Sequence, residues 1–252
     1  MNPRIIPVLL ISNGGLYKTV RFKDPKYIGD PVNAVKVFNE KCVDEIIILD
    51  YKATLENRKP DFTMIENIAS QCFMPLCYGG GIKSPDDIAR IIQCGVEKIA
   101  MNSEAAENYK LIENSARIYG SSTVVLSMDV KKSRSGEYEV FIRSATKSTK
   151  LRPEAYARQM ENCGIGEILV NSVNLDGTMQ GYDLELISLI ANTVNVPVIA
   201  CGGAGNLIHF REAADNGASA MAAGSFFVFH GKHRGILISY PDAESLSSIF
   251  RN

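Results

Sequence analysis

Two stretches decide the fold: MPLCYGGGI at 74–82 with GVEKIAMNS at 95–103, and VPVIACGGAG at 196–205 with GASAMAAGS at 217–225. Each reads as an apolar run, a glycine cluster, an amphipathic segment and a second apolar run. They stand 122 residues apart: Pro75 answers to Pro197, Gly80-Gly81 to Gly202-Gly203, Gly95 to Gly217, Ala100 to Ala222 and Ser103 to Ser225. Further out, Glu45-Ile46 answers to Glu167-Ile168 at the same offset. That offset is close to half of the 252-residue chain, which is what two fused half-domains produce. Working outward, apolar runs occupy 4–10, 45–50, 75–78, 98–101, 123–128, 167–171, 197–200 and 218–222. Most are continuous, as in strands covered on both faces of a parallel sheet. Amphipathic segments at 85–94, 105–119, 153–163, 183–192 and 207–216 predict helices between them. KSPDDIARII shows how such a helix begins, with Ser84 as cap, Pro85 in the first position and two acids behind it. Eight strands alternating with helices predict a (β/α)8 barrel. An open doubly wound sheet is the alternative, and it has no need of a two-fold repeat. We therefore expect one domain over 1–252, with half-barrels of approximately 1–121 and 122–252.

Composition narrows the function class. Hydrophobic residues make up 46% and charged residues 22%, and 27 Lys+Arg stand against 28 Asp+Glu. The apolar content excludes disorder, and the balanced charge argues against nucleic acid as a partner. No apolar run is long enough to span a bilayer, and MNPRIIPVLL lacks the basic and apolar regions of a secretion signal, so no membrane partner and a cytoplasmic location are expected. The six cysteines, Cys42, Cys72, Cys77, Cys94, Cys163 and Cys201, form no C-x-x-C pair, and five lie in or beside apolar segments. They read as reduced core thiols. His209, His230 and His233 show no zinc spacing with them. Neither a metal nor a cofactor is expected.

In a barrel of this kind the site lies where the strands end. Gly80 and Gly81 follow strand 3, Gly202 and Gly203 follow strand 7, and Gly224-Ser225 follow strand 8. Glycines let backbone N–H groups approach an anion beside a helix N-terminus. Asn102-Ser103 after strand 4 and Asp176-Gly177-Thr178 after strand 6 complete a mirror-image set. Two phosphate cradles on opposite sides suit a two-ended phosphorylated ligand; the alternative for each is a tight turn. Asp129 ends strand 5 and Asp50 ends strand 2, where a carboxylate is placed for acid–base work; each could equally cap a loop. At the other end, Arg4, Glu45, Lys98 and Glu167 open strands 1, 2, 4 and 6. Two cations and two anions in one layer serve either as stabilising pairs or as a polar opening.

The strings RIIP (4–7), DEIIILD (44–50), GGGI (79–82), EKIAMNS (97–103), GEILVNSVNLDGTMQGYD (166–183) and CGGAG (201–205) together resemble the cyclase subunit of imidazole glycerol phosphate synthase over nearly the whole chain. The resemblance implies a β/α barrel that docks a glutaminase subunit on its bottom face and passes ammonia upward to a bisphosphate at the top. It assigns Arg4, Glu45, Lys98 and Glu167 to an ammonia gate, which favours the opening over the pairing. It also implies catalytic roles for Asp129, Asp50 and Lys18. One position departs from the family. Its ring-closing members begin R-I-I-P-C-L-D-V, with a catalytic Asp on strand 1, whereas this chain reads RIIPVLLI and places Leu10 there. Leucine neither takes nor gives a proton. SNGG at 12–15 likewise replaces a K-D-G-R-type stretch. The segment 7–41 is more similar to a divergent branch associated with acetamidino groups on bacterial surface sugars, in which a glutaminase and a separate amidotransferase-type enzyme take part. The expected ligand is phosphorylated or nucleotide-linked, and the long first loop, with Lys18, Arg21, Lys23 and Lys26, suits an anion or serves as a solvated lid.

Overall fold

The structure, a computed structural model, describes residues 3–231 and 233–251. Eight parallel strands carry the barrel: β1 (Arg4–Ser12), β2 (Ile46–Asp50), β3 (Leu76–Gly79), β4 (Lys98–Met101), β5 (Val124–Lys132), β6 (Glu167–Ser172), β7 (Val198–Cys201) and β8 (Ala220–Ala223). Each pairs with the next in chain order, and β8 closes on β1 through Arg4↔Ala220 to Pro7↔Ala223. The (β/α)8 expectation holds, and the two members of the repeat fall on β3–β4 and β7–β8.

Helices separate the strands and start where short polar side chains can serve the free N–H groups. Asp30, Asp61, Ser84, Asp183 and Asn206 each accept from the backbone three residues on. Ser84 and Asp87 form a reciprocal capping box ahead of the helix Pro85–Gln93. The outward strand residues pack on the helices in one large cluster that includes Phe38, Tyr78, Phe210 and Phe227. The inward residues form a second, smaller cluster: Ile6, Val8, Ile47, Cys77, Ala100, Val125, Leu169, Ile199, Ala220 and Ala222. Alternation along the strands divides the two sets.

Four local expectations are corrected. The first loop is a hairpin: Gly15–Val20 continues from β1 and pairs antiparallel with Lys23–Gly29. Its Lys18 is buried, while Arg21, Lys23 and Lys26 are exposed. Strand β5 outruns its apolar stretch because Asp129–Lys132 pairs with a second hairpin strand, Tyr138–Ile142. The helix expected over 105–119 divides into Ser103–Glu107 and Tyr109–Tyr119 at Asn108. All six thiols are free; Cys42 is exposed, outside the core expected for it.

Candidate functional site

A cavity opens at the C-terminal ends of the strands. Strands β1, β2 and β6 give it an apolar floor of Val8, Leu10, Leu49 and Leu169, while β4, β5 and β6 give it Asn102, Ser127, Asp129 and Asn171. Leu10 therefore faces the polar crescent with an inert side chain. Asp129 is 7% exposed. Asn171 Nδ2 donates to its Oδ1 at 2.9 Å and Asn102 Nδ2 to its Oδ2 at 3.3 Å. Burial pushes the Asp129 carboxyl up to about 7; the Asn171 hydrogen bond works the other way, and the charge of Asp176 adds to the rise. A carboxyl that gains and loses its proton near neutrality is suited to acid–base catalysis.

Asp50 has different partners. Arg58 grips it with both terminal nitrogens, at 3.0 and 3.2 Å, and its Oδ1 accepts from the N–H groups of Lys52 and Ala53. It lines the cavity, but its acceptor sites are committed to capping the β2 loop. Lys18 reaches in from the hairpin, donates to the carbonyl of Val8, and packs its ammonium against Gly224, where a Cβ would lie 2.1 Å from Nζ. Burial lowers Lys18 to about 8, against the pull of Asp176. Asp176 is itself pushed up to about 6 by burial, with Lys18 opposing. The hairpin is tied to the β6 loop through Arg21 N to Asp176 O at 2.9 Å and Arg21 Nε to Asn174 O at 2.8 Å.

Gly80, Gly81, Gly202, Gly203, Gly224 and Ser225 line the cavity, as do Asn102, Ser103, Asp176 and Gly177. Thr178 does not; its hydroxyl turns back to Leu175 O at 2.7 Å. Ser103 Oγ donates to Asn102 Oδ1 and accepts from Arg143 N, so the β5 hairpin is anchored there. The glycines are needed for close packing between neighbouring loops. A Cβ on Gly203 would lie 1.9 Å from Gly181 O, and one on Gly80 would lie 2.4 Å from Asp50 O, both residues having positive φ. Each half-barrel thus locks its glycine pair against the loop of the preceding strand.

At the opposite end, the four charged residues close a ring. Arg4 reaches Glu45 and Glu167, and Lys98 Nζ lies 2.9 Å from Glu45 Oε2 and from Glu167 Oε2. Burial disfavours the Lys98 ammonium, and its two carboxylate partners more than offset this, raising its pKa. Glu45 is 2% exposed and stands just before β2 rather than within it; its Oε1 has no hydrogen-bond partner. The apolar inner cluster separates this ring from the cavity.

Residues 4–234 match the family model described as "Histidine biosynthesis protein". The chain belongs to that family. Within it, the similarity is to HisF proteins. It is 48% identical over 244 residues to a protein of Pseudomonas aeruginosa named "Putative imidazole glycerol phosphate synthase subunit hisF2", covering 96% of this chain and 97% of that one. A Leptospira interrogans protein named "Putative imidazole glycerol phosphate synthase subunit HisF" is 45% identical, with 99% of both chains covered. The "Imidazole glycerol phosphate synthase subunit HisF" of Saccharolobus solfataricus is 41% identical, covering 93% of this chain and 91% of its own. This is a HisF-like barrel throughout. Sequence reasoning gave no role to Asn171, Ser127, Tyr51, Cys201 or Arg58, all of which line or brace this HisF-like mouth. For Asn171 the signal was present: Glu167, Leu169 and Asn171 alternate along β6, so an inward ring residue at one end predicts an inward side chain at the other.

Proposed function

We propose that this chain is the ammonia-accepting subunit of a glutamine-dependent enzyme. A separate glutaminase docks on the face bearing Arg4, Glu45, Lys98 and Glu167. Ammonia crosses that ring and the apolar lumen, which favours the neutral molecule over ammonium. It meets a phosphorylated or nucleotide-linked ligand at the mouth, held by the loops of Gly80-Gly81, Asn102-Ser103, Asp176-Gly177, Gly202-Gly203 and Gly224-Ser225. Asp129 is the group that exchanges a proton at the mouth, and Lys18 faces the anionic end of the ligand. The product is an amidated bacterial surface sugar, with a separate amidotransferase-type enzyme as a further component. Leu10 is the observation that carries this reading. Its inert side chain lies across the pocket from Asp129, so the strand-1 carboxyl that ring closure in the family uses is missing.

The names of the relatives favour a second reading, a cyclase of histidine biosynthesis that works without the strand-1 acid. Both are tested by purifying the chain with a candidate glutaminase and assaying ammonia transfer. On the histidine-pathway bisphosphate we expect turnover at least about 10²-fold below that of an ordinary cyclase, rising in Leu10→Asp. Ordinary turnover in the unaltered chain would overturn the amidation reading. Amidation of a sugar substrate, dependent on the glutaminase, would support it. A glutaminase that is activated while no ligand binds the mouth would instead indicate a scaffold.

A further inference from the structure

The polar crescent contains one atom whose position no local bond explains. Asn171 is 8% exposed, and its Oδ1 is buried without a hydrogen-bond partner, although a buried amide oxygen ordinarily finds a donor. At its other end, Nδ2 donates one N–H to Asp129 Oδ1 at 2.9 Å. The amide therefore gives up a partner on one side to hold the carboxylate on the other. Room for the stranded oxygen comes from Gly202: a Cβ there would stand 2.6 Å from Asn171 Oδ1 and 2.7 Å from Ser172 O. Gly202 also has a φ of +86°, which disfavours any side chain.

We propose that Asn171 is the positioning residue of Asp129, and that Gly202 is glycine because Asn171's amide fills the place of its side chain. Asn171 and Asn102, from the strands on either side of β5, each put one N–H on one carboxylate oxygen. This fixes the plane of the carboxylate and favours its ionised form, so that Asp129 is available as a base inside a buried site. The other charged or titratable groups that bear on Asp129 are Asp176 from the β6 loop, Lys131 from its own strand and the Cys201 thiol from β7. Of the two amides, Asn171 makes the shorter contact and is the one whose loss matters more. The inference rests on the reading of Asp129 as the acid–base group of the mouth.

The test is a titration of the Asp129 carboxyl by carbon-13 NMR, with the resonance identified by its disappearance in Asp129→Asn. It needs no substrate, so its failure is separate from a failure of the proposed reaction. Asn171→Leu, with the same branching but without a donor, is expected to raise the proton affinity of Asp129 about tenfold. Asn102→Leu should raise it less, and Gly202→Ala should move it in the same direction as Asn171→Leu by displacing the amide. An unchanged midpoint in Asn171→Leu, with the amide spectrum showing an intact fold, would overturn the role of Asn171. An unchanged midpoint in Gly202→Ala would overturn the link to the glycine. If Asn171→Leu does not fold, Asn171→Ala, which removes the donor without added bulk, is titrated in its place, and an unchanged midpoint there would overturn the role of Asn171.

Discussion

The two halves of the mouth each end a strand in a carboxylate, and they use it in opposite ways. In the first half, Asp50 accepts from two loop N–H groups and faces both terminal nitrogens of Arg58. In the second half, Asp129 has no cation within salt-bridge distance among the described residues and is held by two neutral amides. A counter-ion fixes a carboxylate in its charged form and makes it part of the scaffold; amide donors hold its geometry while burial keeps its proton exchangeable. Residue type and strand position made the two look alike, and their partners separate them.

The largest effect that sharpens this contrast is in catalysis. Asp129→Asn should reduce ammonia-dependent turnover by about 10²–10⁴-fold without lowering the unfolding midpoint. Asp50→Asn should do the reverse, lowering the midpoint because Arg58 loses one of its two carboxylate partners. An Asp50 variant that folds as well as the original and fails in turnover would break the comparison.

Next in size is the ring. Glu45→Gln leaves Arg4 and Lys98 with one carboxylate between them, and removing a member of a buried charge cluster typically costs about 3–5 kcal/mol. Denaturant unfolding measures this, and a loss below about 1 kcal/mol would place the ring among solvent-screened surface pairs.

The glycine pairs come third. Alanine at Gly203 or at Gly80 forces its loop away from Gly181 or Asp50, and each is expected to destabilise the chain by about 1–3 kcal/mol and to weaken binding of inorganic phosphate measured by calorimetry. Similar losses in the two variants would support a two-ended ligand site. Phosphate binding weakened by only one of them would show that one cradle works alone.

The remaining effect is in pH. Asp129 takes its proton near pH 7 in the folded chain and near 4 in the unfolded one. Between those values the folded chain holds the extra proton, so this group's contribution favours folding below about pH 4 and is lost as pH rises towards 7. Asp129→Asn should therefore gain stability relative to the original chain on going from pH 5 to pH 8. Denaturation midpoints at the two pH values check the sign, and an equal difference at both would mean that the carboxyl titrates as it does in water.

The parts of this molecule legible in its sequence are those that depend on near neighbours. Continuous apolar runs gave all eight barrel strands, Ser84 and Pro85 gave a helix start, and the repeat at 122 residues located both glycine pairs. The four ring residues were legible because Arg4, Lys98 and Glu167 open barrel strands and Glu45 stands immediately before one. The hairpin after β1 was read as a loop because its charges obscure the alternation, and it forms by pairing with its own neighbour strand and docking on a loop more than 150 residues away.

What the sequence determined by itself is therefore the barrel, its two-fold construction, the placing of charge at one end and glycine at the other, and the absence of a proton carrier at Leu10. Only the tertiary structure decided that Asp50 belongs to Arg58, that Asp129 belongs to Asn102 and Asn171, and that Gly202 makes room for an amide. Periodicity is written in residues a few positions apart, and composition fixes their burial. The proton affinity of a carboxylate depends on which side chains the fold brings within about 3 Å of it, and for Asp129 those come from residues 27 and 42 positions away along the chain.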